Sequence, residues 1–328
     1  MKIAVDAMGG DNAPDAIVKG ALAAAVAGRD IEIILVGNGD RIKDIALLPE
    51  NVSIVEAAET IENEDKPLMA IRRKRNSSMV VALQMVKDGT ADAVVSAGNT
   101  GAFMAGASLI VGRIPGLTKP ALAPVLPTQD GKGTVALDIG ATMDPKPENL
   151  FQYALMGNLY AQTVFGIPEP RIGLLNVGIE PEKGNELAKQ TYQLLLQSEL
   201  NFIGNVEARE VMQGRCDVLI CDGFVGNVLL KSMEGVAQSL FSEMKQAVIK
   251  GGVKSKIGAL LLKKDLKALK DKLDYAEYGG SPLLGINGIC IKCHGSADAT
   301  NVKNAILKQA YLLSKNHTIA SITKIMEE

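Results

Sequence analysis

Six short apolar runs in this 328-residue chain each stop in a cluster of small polar residues, and those clusters hold most of the side chains able to do chemistry. The run 3–5 leads to Asp6, Gly9, Gly10 and Asp11, and the run 93–95 leads to Ser96, Gly98, Asn99, Thr100 and Gly101. The run 135–137 ends at Asp138 and Gly140, and 172–175 ends at Asn176 and Gly178. The run 218–221 ends at Asp222, Gly223, Gly226 and Asn227, and 289–291 leads to His294, Gly295 and Ser296. Small loop residues let backbone N–H groups come close to an anion, and a following helix adds the positive end of its dipole. A substrate that carries negative charge, or develops it during reaction, suits such loops. One loop of this kind need only close a tight strand-to-helix turn; six of them favour a shared site.

Two side chains are candidates for catalysis. Lys183 sits at a helix start, Lys183-Gly184-Asn185-Glu186, behind the strand end at Asn176. A lysine there can neutralise phosphate or a developing oxyanion. His294 is one of only two histidines. It can protonate a leaving group near neutral pH, or serve as a structural hydrogen-bonding residue. Asp6, Asp11, Asp138 and Asp222 suit either a metal ion or, the preferred reading, hydrogen bonds from loop N–H groups. The basic run Arg72, Arg73, Lys74 and Arg75 precedes a helix capped at residues 76–78. Cations at a helix N-terminus oppose its dipole, so the run reads either as a solvated charge cluster or as a contact for phosphate or an acidic partner protein. Cys290, Cys293 and His294 have the spacing of a c-type haem attachment, but that belongs to exported proteins, and a zinc site would need Cys216 or Cys221 as a distant fourth ligand. Neither Gly37-Asn38-Gly39 nor Gly131-Lys132-Gly133-Thr134 completes a nucleotide-binding fingerprint. No metal and no cofactor are expected.

Loops of this kind need parallel strands to hold them. The apolar runs are continuous rather than alternating, as in strands buried on both faces. Helical patterns alternate with them: one opening at Pro14, one capped at residues 76–78 and running to about Asp88, one over about 148–164, and one from Glu186 to Leu196. The expected fold is α/β, an open three-layer α/β/α sheet of about ten strands, with ligands outside the carboxyl ends of the strands. Residues 1–328 read as a single catalytic unit with room for two lobes around a cleft, and the proline-rich stretch 112–128 as an extended excursion between them. The uncharged stretch 93–112 reads as strand, polar loop and buried helix rather than a membrane span. A net charge of −2, no tryptophan and 4% aromatic residues weigh against nucleic acid as a partner. No signal peptide is read, so a cytoplasmic location is expected, and four cysteines do not suggest a disulfide framework.

Residues 241–275 differ from the rest. They carry nine lysines, from Lys245 to Lys272, and Gly251-Gly252 splits them into two expected helices. Leu262, Leu266, Leu269 and Leu273 fall on one face of the second, and Leu260-Leu261-Leu262 widens the stripe beside the break. A basic amphipathic hairpin of this kind can dimerise, lie on an anionic membrane, do both, or simply pack on the body.

The stretches IAVDAMGGD, RRKRNSSM, SAGNTGA, GRIPGLTKPALAP, LDIGA, GLLNVGIEPEKGNE, NFIGNVEARE, CDGFVGNVLLK and YGGSPLLGINGICIKCHGS occur in that order along essentially the whole chain. In them the chain resembles the bacterial phosphate acyltransferases of phospholipid synthesis, which act on acyl-(acyl-carrier-protein) and inorganic phosphate. One departure is Cys293, a second cysteine that the family usually lacks. The resemblance implies an isocitrate/isopropylmalate dehydrogenase-like fold used without nicotinamide or metal. It also implies a homodimer at the inner face of the cell membrane, handing acyl-phosphate to a membrane glycerol-3-phosphate acyltransferase. On that reading the backbone at Gly98–Gly101 and Gly223–Asn227 cradles anions, Lys183 neutralises charge and His294 is the acid. Two other readings remain: a phosphotransacylase using acyl-coenzyme A, and a non-catalytic lipid-surface scaffold.

Overall fold

Strand β1 (Lys2–Asp6) shows how the scaffold is layered. Ile3 and Val5 face one side and pack with Ile17, Val18 and Ala21, while Ala4 faces the other and packs with Met79 and Leu83. A strand covered on both faces needs an unbroken apolar sequence, and that is what residues 3–5 supply. The computed structural model describes residues 1–28, 30–273 and 278–327. After β1 come α1 (Asp15–Ala27), β2 (Glu32–Gly37), α2 (Gly39–Lys43), β3 (Val52–Glu56), α3 (Pro67–Arg73), α4 (Ser78–Lys87), β4 (Ala93–Ser96) and α5 (Thr100–Gly106). The chain then passes through the two-residue strands β5 (Ala121–Leu122) and β6 (Val125–Leu126) into β7 (Thr134–Leu137), α6 (Pro147–Phe165), β8 (Ile172–Asn176), α7 (Glu186–Leu196), β9 (Phe202–Glu207) and β10 (Val218–Ile220). It continues with α8 (Gly223–Lys250), α9 (Gly252–Leu261), α10 (Lys263–Leu273), β11 (Ser281–Leu284), β12 (Ile289–Lys292), α11 (Ala299–Asn304), α12 (Tyr311–Lys315) and α13 (Thr318–Glu327).

The strands form two sheets rather than one. The first has the order β3-β2-β1-β4-β12-β11-β5 and the second β6-β7-β10-β8-β9. All pairings are parallel except those of β11 with β12 and β5, and of β6 with β7. The proline-rich stretch is the crossing: β5 lies on an edge of the first sheet and β6 on an edge of the second. Edges tolerate the missing proline N–H groups. One apolar cluster runs from Ile3 and Val95 to Val135, Tyr153 and Val218, so the two sheets share a core layer.

Helix starts follow the sequence closely. The side chains of Ser77, Asn99, Asn185 and Asp222 each accept a hydrogen bond from a backbone N–H in the first turn of the helix that follows. The stretch 93–112 is β4, a loop, α5 and a π-helical turn, Ala107–Val111. Among the described residues no helix is long and apolar enough to cross a membrane.

The lysine-rich segment departs from the expected two-helix hairpin. Its first arm is the far end of α8, a single helix of 28 residues that starts at Gly223. There are two breaks: one at Gly251-Gly252, where Gly252 has φ +74°, and one at Leu262, between α9 and α10. Leu260, Leu261 and Leu262 therefore sit at the second joint and not beside the Gly-Gly turn. Residues 274 and 275, and the side chains of Lys270 and Leu273, lie outside the described set. No residue of α9 is buried.

Candidate functional site

Three strand ends of the first sheet meet in a tight polar cluster. Asp6, Ser96 and Lys292 share one register across β1, β4 and β12, so their side chains leave the sheet on the same face. Asp6 is buried; its two oxygens accept hydrogen bonds from Ser78 Oγ (2.5 Å) and Ser96 Oγ (2.7 Å). Burial pushes its pKa up, opposed by those two hydroxyls and by the charge of Lys292. Lys292 is only 5% exposed; burial pushes its pKa down to about 8, and Asp6 and Asp11 pull it back up. The loops need glycine to come this close. A Cβ on Gly9 would stand 2.4 Å from Asp6 Oδ2 and 2.9 Å from Gly98 Cα. Gly10 has φ +112° beside the Gly295 carbonyl, which accepts from Asp11 N at 2.8 Å.

His294 stands on the rim of this cluster. Its Nδ1 lies 2.7 Å from Ser296 Oγ and accepts from Ser296 N at 3.2 Å, which assigns the ring the Nε2–H tautomer. Burial first, then the positive charge of Lys231, hold its pKa below the usual histidine value. The lowered pKa favours the neutral ring at pH 7, whose Nε2–H is a hydrogen-bond donor. Asn99 spends its side chain locally: Oδ1 caps α5 through Ala102 N, and Nδ2 binds the carbonyls of Glu62 and Asn63. Thr100 is exposed beside it, and Gly101 packs against Pro67.

The second sheet gathers the other strand ends. Asp138 is fully buried and accepts from the N–H groups of Leu122 (2.9 Å), Ala141 (3.1 Å) and Thr142 (2.6 Å). It ties β5 to the turn after β7, and burial raises its pKa to about 7 against those donors. Gly223 and Gly226 lie against this turn; their Cβ atoms would meet Thr142 O at 2.5 Å and Asp138 O at 2.2 Å. Gly140, with φ +100°, faces Asn227. Asn176 Nδ2 holds the Lys183 carbonyl at 3.0 Å, and the exposed Lys183 side chain runs over Gly178. Asn185 and Asp222 cap α7 and α8.

Asp138 gives a pH prediction. With a folded pKa near 7 against 3.8 unfolded, the native state holds a proton that the unfolded state has lost between those values. Its contribution is thus full at low pH and declines as pH rises from about 4 to about 7. Chemical unfolding at pH 4 and pH 7 should show a steeper loss for wild type than for Asp138→Asn, by on the order of 4 kcal/mol at most. Equal slopes would show that Asp138 is ionised in the fold.

Helix α8 joins the two clusters. Its N-terminus belongs to the second, and its Lys231 acts electrostatically on His294 of the first. The sequence therefore brings Gly98, Asn99, Thr100, Gly101, His294, Gly295 and Ser296 to one group. Asp138, Gly140, Gly178, Lys183, Asn185, Asp222, Gly223, Gly226 and Asn227 form the other. The basic run reaches the first group through Asp65, whose carbonyl accepts from Asn99 Nδ2, and its expected strain is absent. Arg72 and Arg73 lie in the last turn of α3, where cations favour the dipole. Lys74 pairs with Asp65 at 2.5 Å. Lys292 was missed by sequence reasoning, because a lysine after an apolar run reads as the start of a solvated loop. Its shared register with Asp6 is the signal, and it appears only once strands are paired. All four cysteines are buried free thiols, and among the described residues no three His, Cys, Asp or Glu side chains are grouped to hold a metal ion.

The architecture, two parallel-rich sheets sharing one core, resembles in fold two solved phosphotransacetylases. A phosphotransacetylase from Streptococcus pyogenes superposes with a TM-score of 0.62, at 16% identity, over 96% of this chain and 94% of its own. The EutD phosphotransacetylase of Staphylococcus aureus superposes with a TM-score of 0.61, at 17% identity, over 94% and 93%. Sequence comparison is more specific. The family model described as "Fatty acid synthesis protein" matches residues 1–319. Proteins named phosphate acyltransferase from Bacillus cereus (strain B4264) and Bacillus thuringiensis (strain Al Hakam) are each 49% identical over 328 residues, all of this chain and 99% of theirs. The chain belongs to this bacterial phosphate acyltransferase family.

Proposed function

We propose that the protein transfers a fatty acyl group from acyl-(acyl-carrier-protein) to inorganic phosphate, giving acyl-phosphate for phospholipid synthesis. The observation that carries this is the 49% identity with phosphate acyltransferases over the full chain. The chemistry suits the site. A phosphate oxygen attacks the thioester carbonyl, the C–S bond breaks and the carrier thiolate leaves. Hydrogenphosphate brings one proton and acyl-phosphate leaves as the dianion, so that proton passes to the thiol and the balance closes without a separate acid. What remains for the protein is to hold phosphate, stabilise the tetrahedral oxyanion and offer the departing sulfur a hydrogen bond. The glycine loops and Lys183 suit the first two tasks, and the neutral His294 the third. Lys292 adds a buried positive charge beneath the first group of loops.

The homodimer, the peripheral association with the inner face of the cell membrane and the hand-over to a membrane glycerol-3-phosphate acyltransferase belong to the same proposal. Their support is the arm. Val236, Leu240, Val253 and Ile257 are all more than half exposed along it, a surface that a second copy could cover. Leu260, Leu261, Leu262 and the half-buried Leu266 mark the α9–α10 joint.

Purified protein should release carrier thiol from acyl-(acyl-carrier-protein) only when phosphate is added. Thiol release without phosphate would reject the transfer, and equal or faster turnover with acyl-coenzyme A would favour the phosphotransacylase reading.

A further inference from the structure

A cavity of about 600 Å³ opens on the second sheet between the starts of α7 and α8. It falls within the roughly 300–1,000 Å³ usual for ligand pockets. Leu150, Leu174, Leu175, Leu187, Val228 and Leu229 line it. Its polar wall groups include Asn176, Asn185 and Asp222, which stand at strand ends and helix caps. Asp222 is the one carboxylate among the lining residues, and it already accepts from Val225 N at 2.8 Å. Cys221 is buried, and burial keeps its thiol protonated. Among the described residues no cationic side chain lines the wall. The cavity is thus unsuited to phosphate or to a charged metabolite and suited to a hydrocarbon.

Nor is it an internal packing flaw. Val177, Val225 and Val228 reach solvent at 80%, 41% and 51% exposure, so the apolar wall opens outward. Helix α8 has two working faces. Val225, Val228, Leu229 and Ser232 recur at helical spacing along the cavity, while Asn227, Lys231 and Glu234 fall on the opposite side, toward Gly140 and His294.

Resting on the acyl-transfer reading above, we propose that this cavity holds the fatty acyl chain of the thioester donor. The polar mouth of the cavity lies at the strand ends, beside Asn176, Gly184 and Asp222. Lys183, whose carbonyl Asn176 holds, stands at that mouth. The chain binds by its apolar length, and a donor with more methylenes inside the cavity gains about fourfold in kcat/KM for each one buried.

Two measurements test this. A long-chain fatty acid with a diazirine near its methyl end, photolysed on the full protein, should label residues 185–196 and 223–232. Labelling confined to the α9–α10 arm, or none at the cavity because a second copy fills it, overturns the assignment. Separately, Ala188→Phe and Ala208→Phe each place a ring in the wall. Excluding two methylenes should lower the long-chain to short-chain kcat/KM ratio roughly 16-fold. Folded variants with the wild-type ratio overturn the proposal; if they do not fold, the labelling decides. Cavity labelling in a protein that shows no phosphate-dependent thiol release would instead sink the acyl-transfer reading and leave the lipid site standing.

Discussion

Lys183→Ala is expected to lower phosphate-dependent turnover about a hundredfold without disturbing the fold. Lys183 is exposed and its ammonium forms no ion pair among the described residues, so its removal leaves no cavity and orphans no buried partner. What the variant loses is a mobile cation at the mouth between β8 and α7. Loss of one charged contact to a transition-state oxyanion typically costs roughly 3 kcal/mol, about two orders of magnitude in rate. The kinetic split identifies the contact. A fall in kcat alone places the ammonium on the oxyanion, and a rise in KM for phosphate alone places it on the nucleophile. Near-normal values of both would make Lys183 a surface residue and shift attention to Lys292. His294→Gln should cost less, since a neutral ring that donates one hydrogen bond is partly replaced by an amide.

Much of this arrangement was legible in the sequence, for a physical reason. Buried parallel strands such as β1, β4 and β10 must be apolar on both faces, and their glycine-rich ends must turn directly into helices. Both features are local. The caps at Ser77, Asn99, Asn185 and Asp222 are local too. The proline-rich stretch hinted at two lobes, but the pairing into two sheets was not legible, because it hangs on β5 and β6, two residues each, joining different edges. The break at Leu262 carries no glycine or proline, so a leucine-rich helical pattern reads straight through it. The cavity was invisible because its wall is assembled from α6, β8, α7, α8 and the loops before α7 and α8, and leucines lining a cavity look like leucines filling a core. The polar row Asp6, Ser96 and Lys292 spans 286 positions of sequence and exists only in the strand register.

The joint between α9 and α10 carries the second large effect. Leu261→Glu combined with Leu262→Glu should reduce binding to anionic vesicles to background, while leaving turnover of a soluble carrier substrate intact. Leu260, Leu261 and Leu262 are 69%, 78% and 53% exposed at the joint. Lys254, Lys256, Lys263, Lys264 and Lys267 surround it, all exposed. Each leucine moved from water into an apolar environment gains about 2 kcal/mol, and each lysine near an anionic surface adds about 1 kcal/mol that salt weakens. Two glutamates remove the first contribution and set negative charge against the second. Wild-type binding should therefore fall steeply with ionic strength, and the variant should show little binding at any. The catalytic groups lie at the strand ends and at the opposite end of α8, so the substitutions touch none of them. A variant that turns monomeric or unfolds would mark the leucines as a dimer core. Wild-type protein that ignores anionic vesicles at low salt would leave the exposed leucines needing a protein partner, because three adjacent leucines held in water by a lysine-rich arm have no other way to lose their hydration.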